Sequence, residues 1–173
     1  YALKGYGLSA TWRGQHKQTL ALTWARRIGD NANLLRKFPA MEGRIFAVDY
    51  SRDGKLIAAA SSFNGNGSVH LYTGEFDSKI PDLLLKAYAD KVATAYSKEE
   101  KAEIERFTTA EVKLLASTKF PGGIYALAFS PDGSHLAAAG EDGHVRLITT
   151  TDGTVAKDFI PVPLARTKLT QRE

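Results

Sequence analysis

With 173 residues, 43% of them hydrophobic and 24% charged, the chain is long enough for one domain with a sizeable core and has the balance of a soluble globular protein. No apolar run approaches the roughly 18 residues that span a bilayer, and the lack of cysteine excludes disulfides, thiolate metal sites, covalent haem attachment and a Cys nucleophile. The net charge of +4 is uneven, because the first 42 residues hold seven basic side chains (Lys4, Arg13, Lys17, Arg26, Arg27, Arg36 and Lys37) against Asp30 and Glu42.

That first segment reads as three strands. Leu8–Arg13 and Thr19–Trp24 alternate in the period of two that a strand requires, Ile28–Asn31 makes a turn, and Asn33–Phe38 forms an outer strand. A first strand is absent or lies within Tyr1–Tyr6. From Gly43 the pattern is clearer. "GRIFAVDY" is a strand, and Asp53-Gly54 closes a hairpin, because Gly tolerates the positive φ of the turn and Asp bonds back to the backbone. The run Ala58–Ala60 is poor strand material on its own and suits a place where a second sheet packs closely. "NGNG" turns the chain again, and "SVHLY" is a third strand.

Residues 74–109 break the alternation. Pro81 suits the first turn of a helix, and Leu84, Leu85, Tyr88, Val92 and Tyr96 share one helical face. Ser97 and Glu100 form a capping box for a second helix that carries Ala102, Ile104 and Phe107. A helical hairpin standing out from the strands is expected, with Ala110–Phe120 as the delayed outer strand. From Gly122 the earlier sentence returns: "GGIYALAF", a turn at Asp132-Gly133, Ala137–Ala139, a turn at Asp142-Gly143, "HVRLI", a turn at Thr151–Thr154, and "VAKDFIPV".

The two copies are offset by 79 residues at their first strands. Gly43, Ile45, Ala47, Ser51, Asp53, Gly54 and Ala58–Ala60 recur as Gly122, Ile124, Ala126, Ser130, Asp132, Gly133 and Ala137–Ala139, and Val69 and Leu71 as Val145 and Leu147. A four-stranded propeller blade takes about 40 residues, so the surplus is the helical insertion.

On these residues, above all "SPDGSHLAAAGEDGHVRLI", the chain resembles the WD-repeat β-propeller family. The Trp-Asp dipeptide of that family is replaced by Tyr72-Thr73 and Ile148-Thr149, and its Gly-His by Glu42-Gly43 and Gly122-Gly123, so the family's buried His–Ser/Thr–Asp–Trp network is not expected. The resemblance implies a mainly β fold: a partial propeller over 1–165, with blade segments at about 1–40, 41–73 plus 110–121, and 122–162. The helical hairpin at 74–109 and a tail at 163–173 complete the chain. Two full blades and a partial third do not close a ring. Further blades in a partner, self-association, or excision from a longer polypeptide (the first residue is Tyr1, not Met) are therefore expected. A narrower resemblance, carried by "LLRKFPAMEGRIFAVDYSRDGKLIAAASS" and "FPGGIYALAFSPDGSHLAAAGEDGHVRLI", is to the propeller of large planctomycete-type bacterial proteins. It implies a c-type cytochrome-containing region in the same protein and an exported or periplasmic location.

The search for chemistry assigns no catalytic, cofactor-binding or metal residue. His16, His70, His135 and His144 show no ligand spacing. Asp53, Gly54, Asp132, Gly133, Asp142 and Gly143 are read as structural turn residues. No nucleophile elbow, phosphate loop or dinucleotide fingerprint occurs. The expected role is a non-enzymatic protein–protein interaction scaffold, with Tyr88, Tyr96 and Phe107 as candidate partner-binding anchors on the hairpin. The alternative is a propeller subunit of an exported redox or hydrolytic enzyme whose active site lies elsewhere. The basic first segment carries no nucleic-acid motif, and nucleic acid is not expected as a partner.

Overall fold

The structure, a computed structural model, describes residues 6–12, 17–24, 34–77 and 79–162. The turn expected at Ile28–Asn31 and the tail from 163 lie outside the described residues. The described residues form three antiparallel four-stranded sheets. The first contains β1 (Tyr6–Trp12), β2 (Lys17–Trp24) and β3 (Leu34–Lys37) in that order, with the short β4 (Met41–Glu42) pairing the start of β2. The second runs β5 (Arg44–Tyr50), β6 (Leu56–Phe63), β7 (Asn66–Thr73), β8 (Leu114–Pro121). The third runs β9 (Ile124–Phe129), β10 (His135–Gly140), β11 (Val145–Thr149), β12 (Val155–Phe159).

The hairpins follow from their turn residues. Ser51 Oγ donates to Asp53 Oδ1 at 2.7 Å, the same oxygen accepts from Lys55 N at 3.1 Å, and Gly54 takes φ +76°. The third sheet repeats this with Ser130, Asp132 and Ser134, and Gly133 at φ +73°. Hydrogen bonds from Ser130 and Ser134 hold the Asp132 carboxyl down to about 2.

The strand register assigns every side chain of the second sheet to a face. Ala58 and Ala60 on β6, with Ala47, Val69 and Leu71 beside them, pack against Ile124, Leu136, Ala138 and Ile148 of the third sheet. Ile57, Ala59 and Tyr72 point the other way, into a cluster with Leu20, Leu35, Phe38 and Met41 of the first sheet. Thus β6 is buried on both sides, and the Ala run is what allows two sheets to approach one strand. Two polar contacts fix the second sheet against the third: Phe129 N donates to Asp49 Oδ2 at 2.9 Å, and Thr118 Oγ1 donates to the Gly153 carbonyl at 2.6 Å.

The insertion differs from its expected shape in two ways. Helix α1 (Asp82–Asp90) stops early: Lys91 is extended at φ −132°, ψ 147°, and Val92, expected on the buried face, is 54% exposed. A 3-10 turn at Ala93–Ala95 follows, and α2 (Lys98–Thr109) starts at the Ser97–Glu100 capping box. Glu100 binds Ser97 N and Lys91 Nζ together, at 2.8 and 2.7 Å, and this clip holds the linker non-helical although the apolar period runs through it. The hairpin also does not stand out. Ile80, Leu84, Ala87, Tyr88, Tyr96 and Phe107 complete the same apolar cluster that joins the first and second sheets.

The two faces of the Ala run predict unequal sensitivity at equivalent positions. Ala58→Leu should overpack the interface with the third sheet and cost about 1–3 kcal/mol. Ala137→Leu, on the free side of the third sheet, should stay within about 0.5 kcal/mol. Urea midpoints of the two variants check this, and equal losses would contradict the assignment of faces.

Candidate interaction surfaces

The insertion is tied down at its base by a buried charge. Arg36 on β3 is 2% exposed. Its guanidinium donates to the carbonyls of Leu35 and Asp77 at 2.8 and 2.7 Å and to Glu111 Oε2 at 3.2 Å. Its flat faces meet the rings of Phe107 and Phe76 at 4.7 and 5.3 Å. Glu111 Oε2 also accepts from Asp77 N at 2.8 Å. One carboxylate therefore joins the chain where it enters the insertion to the chain where it leaves, and Arg36 holds both to the first sheet. Glu111 takes φ +60° to do so, a left-handed conformation that a non-glycine residue adopts only under constraint. The Asp77 amide, then Arg36, lowers the Glu111 pKa below the ordinary carboxylate range. Lys37 adds a pair to Glu105 of α2 at 2.8 Å.

Of the basic residues of the first segment, Arg36 and Lys37 are used in the insertion's anchor; Lys17 is exposed, and Lys4, Arg13, Arg26 and Arg27 lie outside the described residues. Tyr88, Tyr96 and Phe107 are only 4, 9 and 8% exposed. Their rings pack into this chain's own core. Burial, and then Tyr96, push the Tyr88 hydroxyl up to about 12, as expected of a phenol away from water.

Asp142 is bound to Arg146, whose guanidinium also reaches Asp158 Oδ2 at 3.1 Å and lies 5.1 Å from the Phe120 ring centroid. Asp158 in turn meets His144 Nδ1 at 2.6 Å. The Arg146 bond and burial act oppositely on Asp142, and the bond prevails, lowering its pKa. Gly143 completes that turn at φ +75°. This group braces β11 to β12 and to the turn before β11. Sequence reasoning assigned Asp142 to a turn and missed Arg146 and Arg36, because a lone Arg in an alternating strand looks solvent-facing.

A cleft of about 410 Å³ opens between the first and second sheets, lined by Glu42, Ser61, Ser68, His70 and Lys119 among others. Its polar groups are mostly paired internally: Ser61 with Ser68 at 2.9 Å, and His70 Nδ1 with the Tyr72 hydroxyl at 2.9 Å. Burial, aided by Lys119, pushes the His70 imidazole down. Among the described residues, no group of three or more His, Asp or Glu could hold a metal ion, and no helix is long and apolar enough to cross a membrane.

A further surface feature is the free face of the third sheet. Register places Ala126, Ala128, Ala137, Ala139, Val145, Leu147, Lys157 and Phe159 there, opposite the side that packs on the second sheet. Phe159 is 37% exposed, and Ile160 and Val162 just beyond it are 50 and 68% exposed. This is a continuous, mostly apolar surface of one β-sheet.

The family model for the WD domain, G-beta repeat, matches residues 32–80 and 113–149. Each match takes in the outer strand of one sheet and the three inner strands of the next, β3 with β5–β7 and then β8 with β9–β11. The gap between the matches is the helical insertion. A search of curated proteins finds no match. The chain has a WD-repeat propeller-like fold: mainly β, three packed antiparallel sheets, and two inserted helices.

The anchor can be tested by removing its parts. Arg36→Ala should cost about 3 kcal/mol, since it leaves a void between two rings and unpaired carbonyls, whereas Lys37→Ala should stay within about 0.5 kcal/mol as an exposed pair. A lowered folded pKa stabilises above the unfolded pKa and loses that contribution as pH falls through the folded value. The stability gap between wild type and Glu111→Gln should therefore narrow as pH falls below 4.5, which denaturant midpoints across pH would show.

Proposed function

We propose that the chain is a non-catalytic protein–protein interaction scaffold, and that it binds through the free face of its third sheet. WD repeats generally mediate protein–protein interaction. The single observation that carries the reading is that apolar face, with no covering element among the described residues. The hairpin supports it indirectly. Its apolar side chains seal the junction of the first two sheets, so the insertion stiffens the scaffold and leaves binding to the sheet.

Such a surface binds by desolvating aliphatic side chains over a flat area, with a charged group, Lys157, on its edge strand. Val145 and Leu147, in the middle strand of the face, are the positions at which a carboxylate would do most harm to docking and least to folding.

Affinity capture with the wild-type chain and with Val145→Asp/Leu147→Asp, followed by identification of the captured polypeptide, tests this. The wild type should recover one identified partner, and the variant at least about tenfold less at a similar melting temperature. Equal recovery by both would place the interface elsewhere.

A further inference from the structure

We propose that the cleft between the first and second sheets is a binding site for a small organic carboxylate, whose anionic oxygens meet Lys119, the His70 Nε2–H and a serine hydroxyl while its apolar body lies against Met41 and Phe63.

The cleft is made where this junction departs from the other one. The outer strand of the first sheet passes to β5 through "KFPAMEG" (Lys37–Gly43), and that of the second passes to β9 through "KFPG" (Lys119–Gly122). Ala40, Met41 and Glu42 have no counterpart in the shorter link, and all three line the cleft. The opposite wall departs as well. Aligning Val69 and Leu71 with Val145 and Leu147 sets His70 on Arg146, Ser68 on His144 and Asn66 on Asp142, and the strand registers set Ser117 on Asp158. In the third sheet Arg146 fills its position: it binds Asp142 and Asp158 and lies 5.1 Å from the Phe120 ring centroid. In the second sheet a shorter side chain stands there, neither carboxylate is present, and about 410 Å³ stays open. That volume suits a small molecule.

The groups on this wall are arranged as donors. Tyr72 is fully buried, and burial pushes its hydroxyl up, so it stays protonated. Its hydrogen-bond partner among the described residues is His70 Nδ1 at 2.9 Å. The phenol therefore donates, since a buried hydroxyl hydrogen without an acceptor is costly. His70 Nδ1 accepts, and burial, aided by Lys119, holds the ring neutral. The imidazole proton then sits on Nε2, on the ring edge turned away from Tyr72, where no group among the described residues takes it. Ser61 and Ser68 share one hydrogen bond at 2.9 Å, so one of their two hydroxyl hydrogens remains for a ligand.

Two neutral donors and one exposed ammonium, Lys119, suit a single negative charge spread over two oxygens. Glu42 also lines the cleft and disfavours a ligand of higher charge. The exposed Lys17, opposite Glu42 in the β2–β4 register, offsets that carboxylate in part.

Benzoate probes the site in the full chain. Benzamide has the same size and shape without the charge, and inorganic phosphate has charge without the apolar body. Long-range proton–nitrogen correlation spectra, with the His70 signals assigned by their loss in His70→Gln, should show the Nε2–H tautomer before any ligand is added. Millimolar benzoate should shift those signals saturably, and bind at least about tenfold more tightly than benzamide or phosphate. Lys119→Gln should weaken benzoate about fivefold at an unchanged melting temperature and leave benzamide as it was.

An Nδ1–H tautomer would overturn the proposal, as would benzoate shifts that fail to saturate or that benzamide matches. Phosphate preferred over benzoate, or undiminished benzoate binding by Lys119→Gln, would also contradict it. The outcome is separable from that of the scaffold reading, because Val145 and Leu147 lie on the free face of the third sheet, away from this cleft. Val145→Asp/Leu147→Asp should leave the benzoate titration unchanged.

Discussion

The close approach of two sheets to the two sides of β6 governs the rest of this molecule. This central strand is covered on both faces and meets its neighbours with small side chains, Ala58, Ala59 and Ala60 each being fully buried. Bulk has to be supplied from the neighbours. The third sheet supplies Leu136 and Ile148 on one side, and the first sheet and the insertion supply Leu20, Phe38 and Met41 with Leu84 and Tyr88 on the other. The same small-residue pattern is written at Ala137 and Ala139, on a face without a sheet against it among the described residues.

The insertion answers a related need at the other junction. Its base is closed by Arg36, Glu111 and the Asp77 backbone, and its two helices lay apolar side chains over the boundary between the first and second sheets. A buried Arg is costly unless its donors and ring faces are occupied. Here three acceptors and two aromatic rings surround it while its Nε is buried without a hydrogen-bond partner, and Glu111 takes a left-handed φ in that arrangement. The consequence for function is that the insertion is part of the scaffold's stiffness. Residues that looked like docking anchors in isolation are held inside.

How much of this was legible in the sequence depended on the range of the interaction. The strands, the Asp-Gly hairpins and the repeat phase are local or periodic, and the pairs Ala58/Ala137 and Val69/Val145 could be aligned by eye. The capping box at Ser97 and Glu100 was equally plain. The helical period through Val92 and Tyr96 misled, because a salt link from Lys91 to Glu100 and an extended linker override it. The Arg36–Glu111 contact spans 75 residues and joins a strand to a loop, with no local signal at either end. Tyr88, Tyr96 and Phe107 were recognisable as an apolar set, but an apolar set marks burial without saying whether the cover is the chain itself or a partner.

The account stands or falls on what lies against Ala137 and Ala139 when the protein is in its native assembly. A cryo-electron-microscopy map of that assembly would show it directly. A partner polypeptide packed over Ala137, Ala139 and Leu147 of the third sheet is the expected result. Solvent over that face, with the partner seated on another surface, would contradict it.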